Sequence, residues 1–366
     1  MSCFKKGLSL SAALLAGALL LTACGGAPAS SASSVPASSV ASSEAAEQPE
    51  EPAMKYTQTP TVPTETYKEE ADFADFLSKA EPGPVIPGLA ENLIPQGMDQ
   101  CDETGILYIS GYYTTDGKSS AILAVDTATG ELTAEYLLLN AGGTPFDGHV
   151  GGVAVSEDTL YVSGQKQNDL YTICAIPLKD LPAEGSHEVK LEQTIPVPVS
   201  PSFLSCSHGY LWVGNFYHPG ADYPLSDGMK YTTDDLSKGS LSVADGDDYA
   251  QPDVVLVGPN KIQGVVVGED DTVTLSQSYG RKNNASLLHY SLALGETLDT
   301  MLTVQGRDVP GYILDSKRLK ESVTAMPMTE ALADAKDGGI YVLFESGAIH
   351  YANGTFRTDH VWKIKF

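Results

Sequence analysis

The sequence is short of the motifs that most directly assign a reaction. It contains no Walker loop, no His-Glu-x-x-His, no Gly-x-Ser-x-Gly and no paired Cys-x-x-Cys. Its Gly-rich pieces therefore read as strand turns and not as phosphate cradles. Basic residues are scarce, 22 Lys and Arg against 47 Asp and Glu, for a formal charge of −25. A polyanion has no surface to neutralise phosphates, which excludes nucleic acid as a partner. The charge reads as a solubility feature of an exported protein. Cysteine is scarce too: Cys3 and Cys24 lie near the start, which leaves the odd number Cys101, Cys174 and Cys206 among apolar neighbours. These three read as small buried hydrophobes and not as a disulfide framework. Residues 7–20 form an apolar run too short and wrongly flanked for a membrane span.

That run has another meaning. Lys5 and Lys6 precede it and Leu21-Thr22-Ala23-Cys24 follows it, the layout of a secretory signal. Leu-Thr-Ala-Cys resembles the bacterial lipobox, which implies cleavage after Ala23, lipidation of Cys24 and anchoring at the outer face of the cell membrane. Loss of residues 1–23 would leave 20 basic against 47 acidic residues, or −27. Residues 25–55 are mostly Ser, Ala, Pro and Glu. They bury too little to offset chain entropy and read as a disordered tether reaching roughly 30 Å r.m.s.. The domain plan is thus a signal at 1–23, lipidated Cys24 and tether at 24–55, a helical extension at 56–84 and a folded domain at 85–366. Within the extension, Tyr67, Ala71, Phe73, Ala74, Phe76 and Leu77 predict a helix over 64–80, stopped by Glu81-Pro82-Gly83-Pro84.

The folded domain is organised by a repeat. In residues 151–164, GGVAVSEDTLYVSG, a small-and-apolar strand, an acidic turn and a second strand follow one another. The pattern returns with starts at Gly97, Gly152, Ser202, Gly264 and Ala331. Strand hairpins repeating every few tens of residues predict an all-β propeller. Each blade should hold four antiparallel strands, A to D from the channel outward. The expected outer strands include 189–195 in blade two and 300–304 in blade four. Asp126 to Gly130 reads as a C–D hairpin turn. Asp245-Gly246-Asp247-Asp248 reads as another such turn, because it lacks the alternating ligands of a calcium loop. The last blade, ending in the strand 360–366, lacks a D strand, and residues 85–93 are free to supply it, closing the ring from the N-terminal side. The count is five blades; a sixth would need residues read here as loops.

These repeats, over 85–366, resemble secreted bacterial propellers with NHL-like or gluconolactonase-like repeats. For the gluconolactonase-like members the resemblance implies hydrolysis and a divalent metal in the channel, held by acidic and Asn side chains. The matching positions here are mostly Gln, His and Ser.

Strand-A entrances and strand-B exits open on one face. At the entrances stand Gln96, His149, Ser202, Gln263 and Glu330; at the exits Tyr112, Tyr113, Gln165, Asn215, Phe216, Tyr217, His218, Tyr279, Arg281, Glu345 and Ser346. Amides, carboxylates and aromatic walls suit a small polar molecule or glycan, or else satisfy one another and neighbouring backbone. If the protein is a hydrolase, Glu330 and His149 are the catalytic candidates, with Asp147 orienting His149. Arg281 either receives an anionic group or pairs with Glu330 or Glu345. Asp359 and His360 either join this rim or start the last strand. The insertion 218–238 offers a surface to a protein partner.

Overall fold

Glycine at the start of an inner strand does what only glycine can do there. A Cβ at Gly152 would sit 2.2 Å from the Leu204 nitrogen, and one at Gly97 2.5 Å from the Val153 nitrogen. A Cβ at Gly264 would meet the Leu332 nitrogen at 2.6 Å. Each of these atoms belongs to the inner strand of the next blade, so the repeat starts are the points where neighbouring blades touch backbone to backbone. A computed structural model describes residues 53–115, 117–218, 235–243, 250–295, 297–304 and 306–366. Cys24, most of the insertion 218–238 and the stretch 245–248 lie outside the described residues.

The described chain forms five antiparallel blades. Blade one runs Ile94–Gln100, Ile106–Tyr112, Ala121–Asp126 and Leu132–Asn140; blade two begins Val153–Ser156, Thr159–Ser163 and Tyr171–Pro177. Blade three begins Phe203–Ser207, Tyr210–Gly214, Asp235–Val243 and Ala250–Pro259; blade four begins Ile262–Val267, Thr272–Gln277 and Ala285–Ser291. Blade five holds Thr329–Asp334, Ile340–Phe344 and His360–Ile364. The ring is closed from the N-terminal side, as the missing D strand required. The closing strand, however, is Ala80–Val85, antiparallel to His360–Ile364, and not 85–93. Ile86, Leu89 and Leu93 from that stretch are buried core residues instead.

The outer strands depart further from the repeat. Blade two takes Gln193–Val197 as its fourth strand, while Gly185–Leu191 crosses to lie parallel against the outer edge of blade one. The expected outer strand 189–195 is therefore divided between two blades. Thr300–Val304 does not belong to blade four. It forms a hairpin with Arg307–Ile313, which adds in parallel to the outer edge of blade three. Blade four is completed by Leu319–Ala325. That strand carries Lys320 and Glu321 and looks like a loop in sequence. It is a strand because the N-terminal extension packs on it.

The extension is less helical than its spacing predicts. Glu70 is extended, with φ −86° and ψ 121°, and no side chain caps the turns on either side of it. The segment thus breaks into short 3-10 turns at Thr66–Glu69 and Ala71–Phe73 and one α-helix, Ala74–Lys79. Tyr67, Phe73 and Phe76 bury in a cluster with Leu287 and Val323 of blade four and Phe344 and Trp362 of blade five. The Phe76 ring lies 5.4 Å from Trp362 and 6.2 Å from Phe344. The extension is a wedge between the last two blades and not a cap over one face.

A serine at the end of strand B clasps the following blade. Ser110 Oγ donates to the Val150 carbonyl at 2.8 Å, Ser163 Oγ to Pro201 at 2.6 Å and Ser276 Oγ to Glu330 at 2.6 Å. This explains the recurring Ser at the end of strand B, and it fixes the backbone of Glu330 and of the residues adjoining His149 and Ser202. Blade three has Gly214 there, because the Phe203 ring fills the space a side chain would need. Replacing Ser163 by Ala should lower stability by about 1–2 kcal/mol, the cost of leaving a buried carbonyl unpaired. Urea unfolding checks this; an unchanged midpoint would show that the clasp is dispensable. The free thiols Cys101 and Cys174 are buried; Cys206 is buried too but is disulfide-bonded, which corrects its reading as a plain buried hydrophobe. Burial pushes the Cys174 thiol up to about 12, so it is unreactive at neutral pH.

Candidate functional site at the channel mouth

Because strand B returns antiparallel to strand A, the connections into A and out of B lie at one end of the channel, and the A–B turns at the other. At the entrance end, blades four, five and one contribute a belt of polar groups. Gln263 Nε2 donates to Glu330 Oε1 at 3.1 Å, and Gln96 Nε2 donates to Glu345 Oε2 at 3.0 Å. Tyr351 also bonds to Glu345. Glu330 is 4% exposed, and its backbone is held by the Ser276 clasp.

The two carboxyls are neighbours. Burial and the Glu345 carboxylate push Glu330 well above the usual carboxylate range, against the Gln263 bond. Burial pushes Glu345 up to about 7, against the donors Tyr351 and Gln96 and the more distant charge of Arg281. Two carboxyls in one desolvated place do not both ionise freely, so the pair retains a proton near neutral pH. Such a pair can accept and donate hydrogen bonds at once, and it can act as acid and base.

Arg281 stands beside the pair without ion-pairing to either member. Its guanidinium lies 4.7 Å from the Tyr351 ring centroid, donates to Asn353 Oδ1 at 3.2 Å and approaches His350 Nε2 at 3.5 Å. On the adjoining rim, His218 lies against the Tyr279 ring at 4.1 Å between centroids, with Phe216 at 6.3 Å. Asn215 is 2% exposed, and its Nδ2 has no hydrogen-bond partner among the described residues. Tyr351 and Asn353 escaped sequence reasoning because their loop, between the second and third strands of blade five, has no counterpart in the repeat.

Other expected members play different parts. His149 lies against the Tyr112 ring, 4.2 Å between centroids, and burial lowers its imidazole. Asp147 does not orient it; that carboxylate accepts the Gly117 N–H at 3.2 Å. The ionisable side chain that the geometry sets beside Glu330 is Glu345, while His149 lies on Tyr112. Tyr217 packs against the core between blades three and four. Ser202 is held by its backbone, which bonds Gly214 and abuts Gly151. Gln165 accepts from Thr172 through its carbonyl, and Tyr113 bonds Tyr56. Asp359 leaves the rim altogether: it receives the N–H groups of Thr61 and Val62 and binds His360 Nδ1, tying down the extension.

The other end of the channel holds a cavity of about 630 Å³ enclosed by all five A–B turns. Its lining is acidic, with Asp102, Glu103, Glu157, Glu269, Asp270 and Asp334 against Lys336. Lys336 pairs with Asp102 at 3.2 Å and Asp334 at 3.3 Å. Asp99 lies in the inner strand behind it, 1% exposed, a residue the repeat pattern did not single out. The channel metal implied by gluconolactonase-like repeats does not fit these residues. The entrance positions offer one carboxylate, already bonded to an amide, and no three His, Cys, Asp or Glu side chains among the described residues converge to hold an ion.

The sequence matches no protein-family model and no curated protein. Similar folds occur among solved structures. The PQQ-bound aldose sugar dehydrogenase of Streptomyces coelicolor is 13% identical over 78% of this chain and 96% of its own, with a TM-score of 0.45. A glutaminyl cyclase of Myxococcus xanthus is 12% identical over 78% and 94%, with a TM-score of 0.40. The glycosidase CoXyl43 from a compost metagenome, a β-xylosidase/α-arabinofuranosidase, is 11% identical over 78% and 94%, with a TM-score of 0.41. Similarity at this level carries neither their substrates nor their cofactors to this chain.

Proposed function

We propose that the protein is an exported propeller, anchored at the outer face of the bacterial membrane through lipidated Cys24, that binds a small hydroxyl-rich molecule or glycan at the entrance mouth. The observation that carries the binding assignment is the belt Gln263–Glu330 and Glu345–Gln96. Planar amide and carboxyl groups side by side offer donors and acceptors to adjacent hydroxyls, and the exposed Tyr279 offers ring surface to sugar C–H groups. The anchor rests on the lipobox and on the tether that follows it.

Thermal melting of the full chain against sugars and polar metabolites tests the site. A ligand at 100 times its Kd adds about 2.7 kcal/mol to the folded state and raises the midpoint. Glu330→Gln should abolish that rise, while His149→Ala should leave part of it. No response to any compound, or a response kept in Glu330→Gln, would remove the mouth as the site.

A second reading is hydrolysis, favoured by the raised, proton-sharing carboxyl pair. One carboxyl would protonate the leaving oxygen while the other takes a proton from the attacking water. Product release from a compound that binds, lost in Glu345→Gln while binding persists, would establish it.

A further inference from the structure

Every contact between a cationic group and an aromatic ring among the described residues falls at the entrance end. Lys118 lies 4.3 Å from the Tyr113 centroid and Lys166 5.5 Å from Tyr171, both on strand-B exit loops. Lys261 lies 5.5 Å from Tyr279, just before strand A of blade four, and Arg281 lies over Tyr351. Arg281, Lys261 and Lys118 form no ion pair with a carboxylate among the described residues, whereas Lys336 at the acidic end is paired twice. Stacking on Tyr351 and the contacts with Asn353 and His350 hold the Arg281 guanidinium in place, and the N–H groups that these leave over can meet an incoming carboxylate. The turn end is thus lined by acidic side chains, whereas the rim of the mouth sets Arg281, Lys261 and Lys118 beside the carboxyls of Asp147 and Asp169.

We infer that the mouth takes an acidic saccharide, whose carboxylate is received by Arg281 while Lys261 and Lys118 draw it to the rim. The inference rests on the reading of the mouth as a hydroxyl-binding site and adds the charge of the ligand. Geometry supports it in two ways. Tyr351 lies under Arg281 and also bonds Glu345, so a carboxylate on Arg281 would place its own sugar ring next to the Gln96–Glu345 pair. The carboxyl pair, retaining a proton, presents less negative charge to an incoming anion than two free carboxylates would. The long-range contribution of the rim lysines should be screened by salt, and the close Arg281 contact much less so.

Calorimetric titration of the full chain with trigalacturonic acid and with its fully methyl-esterified form tests this, since the two differ in charge and share a ring skeleton. The acid should bind at least 10-fold more tightly at low salt, with a narrower gap at high salt. Arg281→Gln should weaken the acid at least 10-fold and leave the ester within 2-fold. Equal binding of acid and ester, or a preference that survives Arg281→Gln, overturns the inference; the mouth reading then stands if Glu330→Gln still abolishes ester binding. If Glu330→Gln alters neither probe, the mouth reading itself has failed. Inorganic phosphate is the third arm. Phosphate bound as tightly as the trisaccharide, or no binding of either saccharide, overturns the assignment to an acidic sugar.

Discussion

Gly152→Ala should cost about 4 kcal/mol or more, among the largest effects a single methyl group can produce in this protein. The added carbon would lie 2.2 Å from the Leu204 nitrogen and 2.7 Å from the Phe203 carbonyl carbon. Both are backbone atoms of a strand bonded along its length to Tyr210–Gly214. No rotamer change relieves the overlap, so blade two and blade three must separate. Separation strips contacts from Leu204 and Val213 on one side and from Ala154 and Ile173 on the other, all in one buried cluster. Gly142→Ala is the control, because its Cβ would meet nothing within 4 Å and its backbone is not left-handed. That change should be neutral or stabilise by up to about 1 kcal/mol through the unfolded chain. Urea unfolding of both variants gives the comparison. Equal midpoints would mean that the ring tolerates a wider blade spacing than the crowded starts imply.

The same glycines show why the inner half of each blade was legible in sequence and the outer half was not. Strands A and B meet neighbours on both faces, so Gly97, Gly152 and Gly264 and the Ser110, Ser163 and Ser276 clasps leave a repeating trace. Outer strands meet the core on one face, and their partners are chosen by tertiary contacts. Gly185–Leu191 exposes Glu188 and Lys190 between half-buried and buried neighbours, and nothing local assigns it to blade one. Leu319–Ala325 is polar enough to read as a loop and becomes a strand under the wedge of Phe73 and Phe76. The site divides in the same way. Gln96, Gln263 and Glu330 stand at repeat starts, where position alone brings them together. The pairing of Glu345 with Glu330 and the stacking of Arg281 on Tyr351 depend on loop paths that no repeat encodes. Asp99 was missed for a related reason: a polar residue inside an apolar inner strand gains its meaning only from the strands across the channel.

Asp99→Ala should cost about 4 kcal/mol near pH 5.5, because this carboxyl joins three blades. Its Oδ2 accepts the Val155 N–H at 2.9 Å and the Cys206 N–H at 3.0 Å, while Oδ1 accepts the Gln100 N–H at 3.0 Å. Inner strands have one edge facing the channel, where no further strand can pair with their N–H groups, and Asp99 serves that edge in blades one, two and three. Losing the acceptor costs about 1–3 kcal/mol for each buried donor. The effect should depend on pH. Burial pushes the Asp99 carboxyl up to about 7 from its ordinary 3.8, against its three backbone donors and Lys336. A carboxyl raised in the folded state favours folding while it is protonated, so its contribution is full below the unfolded value and falls as pH rises towards 7. The gap between wild type and Asp99→Ala should therefore narrow by about 1.5 kcal/mol between pH 5.5 and 7, because the slope of 1.36 kcal/mol per pH unit flattens as the carboxyl ionises near 7. Glu345, pushed up to about 7, and the raised Glu330 are present in both proteins, so their contributions cancel in the difference. Urea midpoints with unchanged m-values across that range give the measurement. A gap that widens with pH would show that the three N–H donors select the ionised carboxylate, and that Asp99 with Lys336 forms a charged tie across the channel.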